Sequence, residues 1–171
     1  TLSFPKVRRQ IEEGLAALVK EEFPEAEALF GTSTAGIAHA AITAEILGLP
    51  MGYVRGSAKD HGRQNQVEGK LSKGDKVVVV EDLISTGGSV LDCVKVLQEN
   101  GAEVLGIVSI FTYGMQKGKD RLAEAKVVNH SLCDLDALLP VAVEQGYIEK
   151  EEQEKLLRFR DNPSDESWRE A

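Results

Sequence analysis

Cysteine is scarce in this chain. Its 171 residues hold two, Cys93 and Cys133. Two thiols cannot build a disulfide framework, so the core must be held by burial, and the scarcity points to a reducing, cytoplasmic setting. Each thiol lies in an apolar stretch and reads as a small core residue rather than a reactive one. Long apolar runs are missing too. None approaches the ~20 residues that a membrane-spanning helix needs, and no signal-peptide pattern opens the chain. Basic charge is in deficit: 20 Lys and Arg stand against 28 Asp and Glu, a net charge of −8. That argues against general nucleic-acid binding, which needs a basic face. Internal repeats, low-complexity runs and linkers do not occur. The first residue is Thr1, not Met, so a trimmed or missing upstream segment is expected.

What is present suffices for one domain with a real core, since 42% of the residues are apolar. Val7, Ile11, Leu15 and Leu18 recur at helical spacing, which predicts a helix over Pro5–Lys20. Ala28-Leu29-Phe30 predicts a short buried strand, followed by a small-residue loop over 31–36 and a helix from Ile37 to Leu47 that stops at Gly48. Met51–Arg55 reads as a strand. Lys76–Val80 reads as a central strand, its unbroken valines implying burial on both faces. A helix over Val90–Asn100, a strand over Val104–Phe111, a helix over 116–125 and a short strand at Val127-Val128 follow. A helix capped by Asp134 and a charged helix over Glu149–Phe159 close the chain. Strands alternating with helices predict an α/β domain with a mostly parallel sheet, whose ligands sit at the carboxyl ends of the strands.

Three special loops, 31–36, 56–69 and 82–89, fall at those ends. Ser85, Thr86, Gly87, Gly88 and Ser89 are small enough for backbone N–H groups to turn toward one anion, with the positive end of a helix behind them. The pattern is neither a P-loop nor a dinucleotide fingerprint. Glu81 and Asp82 would repel a phosphate that they touched, so they are expected to face hydroxyls instead, as on a ribose with a 5′-phosphate. A Mg²⁺ ion nearby is compatible. The segment 55–76 holds six Lys or Arg against three acids, with His61 among them, which suits a small polyanion. The loop Gly56–Gly69 has 14 residues, a length that is usually functional or mobile.

The stretch "VVVVEDLISTGGSV" resembles the signature of the type I phosphoribosyltransferases. Within that family "YVRGSAKDHGRQNQVEGKL" resembles the long mobile catalytic loop of the orotate phosphoribosyltransferases, and "GTSTAGIAHAA" resembles their diphosphate loop. "VLGIVSIFTYG" and "NPSDESW" are similar to one branch of them. The resemblance runs over essentially the whole chain and implies a single phosphoribosyltransferase domain over 1–171. It also implies a further N-terminal segment of such enzymes, a hood over the base, ahead of Thr1. The implied reaction joins orotate to 5-phosphoribosyl 1-diphosphate, with Mg²⁺ bound through the diphosphate rather than by protein side chains.

The resemblance assigns roles residue by residue. Glu81 and Asp82 hold the ribose hydroxyls, and Ser85 to Ser89 surround the 5′-phosphate. Thr32, Ser33, Thr34, Ala35 and Gly36 meet the diphosphate. Lys59, His61 and Arg55 neutralise it as it departs, with His61 a possible proton donor. Tyr113 is expected to line the base pocket, and His39 to be structural. A homodimer is implied, each catalytic loop reaching into its neighbour's site. At Gly56 and Ala35 this chain lacks lysines found in some orotate enzymes. The alternatives are a phosphoribosyltransferase for another base, which the Lys59-Asp60-His61-Gly62 core argues against, and a non-catalytic binder of phosphoribosyl diphosphate.

Overall fold

The four valines Val77–Val80 set the layers of the molecule. Val77 and Val79 point to one face of the central sheet and Val78 and Val80 to the other, and all four are fully buried. Such a strand has no solvent face, so helices must cover both sides. The computed structural model describes residues 1–56 and 66–164. Along the chain it forms α1 (Pro5–Glu22), β1 (Ala28–Thr32), α2 (Ala35–Leu47), β2 (Met51–Val54), β3 (Val67–Glu68), β4 (Lys76–Ile84), α3 (Gly88–Glu99), β5 (Glu103–Thr112), α4 (Gln116–Glu124), β6 (Asn129–Asp134), α5 (Leu135–Glu144) and α6 (Lys150–Asp161).

The sheet order is β3-β2-β1-β4-β5-β6. All pairings are parallel except the short antiparallel β2–β3 ladder. Helices α1 and α2 cover one face, where Leu15, Val19 and Ala44 meet Leu29 and Val78. Helix α3 covers the other, where Val90, Val94 and Leu97 meet Phe30 and Val79. The expected α/β class with a mostly parallel sheet is borne out. The order reverses between β1 and β4, so the carboxyl ends of these two strands form the crevice where open α/β sheets bind ligands.

The layer between α1 and α2 contains a polar group that the sequence pattern did not announce. Glu12 is fully buried, and its Oε1 lies 2.6 Å from His39 Nδ1. Its Oε2 accepts from the Thr43 hydroxyl at 2.9 Å. His39 is therefore structural, as expected.

The structure departs from the sequence reading at several boundaries, and the short strand β3 falls inside the expected loop 56–69. Strand β4 runs on through Ile84 because β5 is long enough to pair with it, Glu81 opposite Ser109 and Ile84 opposite Thr112. The two acids are thus strand residues, not loop residues. Val127-Val128 is not a strand. The Val127 N–H returns to the Leu122 carbonyl, and the ladder with β5 starts at Asn129. His130 lies inside β6 with Nε2 3.5 Å from Glu22 and its ring edge-on to Phe23.

Candidate active site

The first strand delivers Thr32 to the crevice and the fourth delivers Glu81. Both are buried, and the Thr32 hydroxyl donates to Glu81 Oε1 at 2.6 Å. The same oxygen accepts the Asp82 N–H at 3.0 Å. Burial, and next the Asp82 side chain, push the Glu81 carboxyl up to about 7, with the bonds from Thr32 and the Asp82 N–H pulling the other way. Asp82, the next residue of the strand, is half-buried, with its side chain hydrogen-bonded to the Glu81 carboxyl. The pair thus offers a buried carboxyl raised to about 7 and a half-buried one beside it.

Around Thr32 the chain turns within two residues from strand to helix. Ser33 spends its hydroxyl on the Val54 carbonyl, Thr34 and Ala35 are exposed, and Ala35 and Gly36 already belong to the first turn of α2. A side chain at Gly36 would collide with the Thr32 hydroxyl and the Val80 carbonyl, so only glycine lets α2 start this close to β4. The expected diphosphate loop is therefore a strand end, a two-residue turn and a helix start. That first turn, Ala35 to Ala38, contains no Asp or Glu, which leaves the positive helix end uncompensated.

The second small-residue turn is built alike. Ser85 and Thr86 are half-buried, and Gly87 caps α3 with φ of 74°, a left-handed conformation suited to glycine. Gly88 opens α3, and Ser89 is exposed in a first turn that again lacks Asp and Glu. A cleft of about 380 Å³ opens between this turn and the ends of β1 and β2. Its lining includes Thr32, Ser33, Arg55, Gln66, Ser89 and Asp92. Arg55 Nη1 lies 3.4 Å from Glu68, and its Nε is buried without a hydrogen-bond partner among the described residues.

Gln66 and Asp92 were not singled out from the sequence. For Asp92 a signal existed, since it follows Ser89 by one helical turn. For Gln66 there was none, because its place depends on the β2–β3 pairing. Lys59, His61 and the greater part of the expected catalytic loop lie outside the described residues. Tyr113 follows β5 and stands edge-on to Phe111 and to Phe159 of α6. Cys93 is buried beneath the cleft, and burial, with the nearby Glu81 charge, pushes its thiol up to about 12. It is a core residue, as read. Burial raises Cys133 as well.

One strand end with two carboxylates, flanked by two helix starts free of acids, can hold a ligand with hydroxyls at its centre and anions at both extremities. The family model for the phosphoribosyl transferase domain matches residues 5–137, and the chain belongs to that family. Among its relatives is the orotate phosphoribosyltransferase of Bacillus cytotoxicus, 58% identical over 98% of this chain and 80% of that protein. The crystal structure of orotate phosphoribosyltransferase from Aeropyrum pernix is similar at 30% identity with a TM-score of 0.74, covering 86% of this chain and 80% of that one. The adenine phosphoribosyltransferase of Leishmania tarentolae shares the fold, with a TM-score of 0.65 at 21% identity over 80% of this chain and 74% of that one.

Proposed function

We propose that this chain transfers the phosphoribosyl group of 5-phosphoribosyl 1-diphosphate to orotate, giving orotidine 5′-monophosphate and diphosphate in pyrimidine synthesis. The observation that carries the reading is the placement of Glu81 and Asp82 between two acid-free helix starts at one strand-order reversal. High identity to an enzyme of that name supports orotate as the acceptor.

In the reaction a ring nitrogen of orotate loses its proton to solvent and bonds to carbon 1 of the ribose while the bond from carbon 1 to the diphosphate oxygen breaks. The diphosphate leaves with the electron pair, and carbon 1 passes through an oxocarbenium-like state. Stabilising charge on the leaving group matters more here than a strong protein nucleophile. Glu81 and Asp82 hold the ribose hydroxyls. The turn Ser85–Ser89 binds the 5′-phosphate through backbone N–H groups and the end of α3. Thr34, Ala35 and Gly36 bring backbone N–H groups to the diphosphate, and Arg55, the residue after β2, faces it. Lys59 and His61 complete its neutralisation, and His61 can donate a proton to it. Tyr113 borders the base.

No cluster of three or more His, Cys, Asp or Glu suited to a metal ion occurs among the described residues. On this reading Mg²⁺ is held by substrate oxygens and water rather than by a protein cage. When bound on the donor, Mg²⁺ supplies charge to the departing diphosphate. The whole of 1–171 acts as one domain, and the chain pairs into a homodimer with each catalytic loop serving its neighbour. Among the described residues no helix is long and apolar enough to cross a membrane, and the two free thiols support a cytoplasmic setting.

Loss of orotate absorbance with Mg²⁺ and the donor present, against adenine and other bases as alternatives, tests the activity. Turnover with orotate alone is expected. Donor binding without diphosphate release for any base would make the chain a binder instead. Sedimentation of the purified protein tests the dimer.

A further inference from the structure

Helix α4 lies outside every motif that pointed to the site, yet it forms the back wall of the Ser85–Ser89 turn. Gly118 and Arg121 are three residues apart and share one face of the helix. A side chain on Gly118 would come within 2.6 Å of the Ser85 carbonyl oxygen, so glycine there lets the turn seat directly on the helix. Next to it the Arg121 Nη1 donates to the Thr86 carbonyl at 3.2 Å. The same nitrogen lies 3.4 Å from where a side chain on Gly88 would begin. Arg121 lines a second cleft, separate from that of Thr32 and Arg55, together with Glu124 and Asp92, but among the described residues the guanidinium is engaged in no ion pair.

A turn that cradles an anion must aim its N–H groups inward and its carbonyls outward. The Thr86 carbonyl precedes the left-handed Gly87, where the chain reverses its N–H groups. We propose that Arg121 is a positioning residue for donor binding: it holds the Thr86 carbonyl against α4, keeps the following N–H groups turned to the 5′-phosphate, and places a cation directly behind them. This rests on the reading of Ser85–Ser89 as the 5′-phosphate turn. A guanidinium suits the task because its planar fork fixes direction, which an ammonium does not.

The test uses the full chain with ribose 5-phosphate and diphosphate as separate competitors of the donor. Arg121→Met is expected to raise the donor KM and the ribose 5-phosphate Ki about tenfold, the worth of one charge-assisted hydrogen bond. Inhibition by diphosphate, the orotate KM and kcat should stay within about twofold, and Arg121→Lys should recover part of the loss. Equal weakening of both competitors, or of neither, would overturn the proposal. Arg121→Gln replaces the Met variant if that one does not fold. Ser89→Asp sets a carboxylate in the exposed first turn of α3 and should abolish ribose 5-phosphate inhibition. If it does so while Arg121→Met does nothing, Arg121 alone is wrong. If Ser89→Asp has no effect, the phosphate-turn reading fails and takes Arg121 with it.

Discussion

Thr32 and Glu81 meet across the point where the strand order reverses, the hydroxyl 2.6 Å from the carboxylate oxygen. The family resemblance implies that Thr32 meets the diphosphate, but its hydroxyl is buried and turned to Glu81. Thr32→Val should therefore act through Glu81 and raise the donor KM about tenfold, while Thr32→Ser stays near the parent. Steady-state kinetics at fixed orotate checks both.

The Glu81 carboxyl makes donor binding depend on pH. Its value is raised from 4.5 to about 7, chiefly by burial. Ribose hydroxyls donate to the ionised form, so donor affinity should rise as pH increases through about 7, and binding should release a proton. The folded chain without donor binds more protons than the unfolded chain across this window, so its stability should fall as pH rises from 4.5 to about 7. Glu81→Gln should remove both trends. Isothermal calorimetry in buffers of different ionisation enthalpy, beside melting curves, would show it.

Asp82→Asn should weaken donor binding by about 1.5–3 kcal/mol through loss of a charge-assisted hydrogen bond. It should also move the Glu81 carboxyl back toward its ordinary value, because the Asp82 side chain and charge contribute to the rise. Donor titrations of the variant at two pH values separate the effects. Unaltered affinity would remove Asp82 from the ribose contacts.

Lys59→Ala should cut turnover by orders of magnitude, since the role proposed for it is to neutralise charge on the leaving group. The melting temperature should not change. Normal turnover would take Lys59 out of the mechanism.

The sheet and its layers were legible in the sequence because Val77–Val80 admit no solvent face and the glycines at 48 and 101 mark helix ends. The two small-residue turns were legible because anion binding restricts composition locally. Other features depend on residues far apart in the chain. The continuation of β4 through the acids depends on the length of β5. The bond from Thr32 to Glu81 needs β1 and β4 to be neighbours, and the seat of the Ser85 turn on Gly118 needs α4 to fold back over it. None of these pairs is close enough in sequence to leave a periodic trace.

Glu12→Ala should cost roughly 3 kcal/mol, because it strands His39 and Thr43 in a buried layer without their acceptor. Chemical denaturation would measure it, with the donor KM of the folded fraction little changed.

That carboxylate shared between α1 and α2 also constrains the history open to this family. Changing Glu12, His39 or Thr43 alone leaves a polar group unmatched, whereas replacing all three with apolar side chains of similar volume removes the desolvation penalty altogether. The three positions form one set in which each single change is expected to cost stability. Lineages that part at this layer are expected to differ at all three sites together, and a residue transplanted singly from one to the other would arrive in the wrong company.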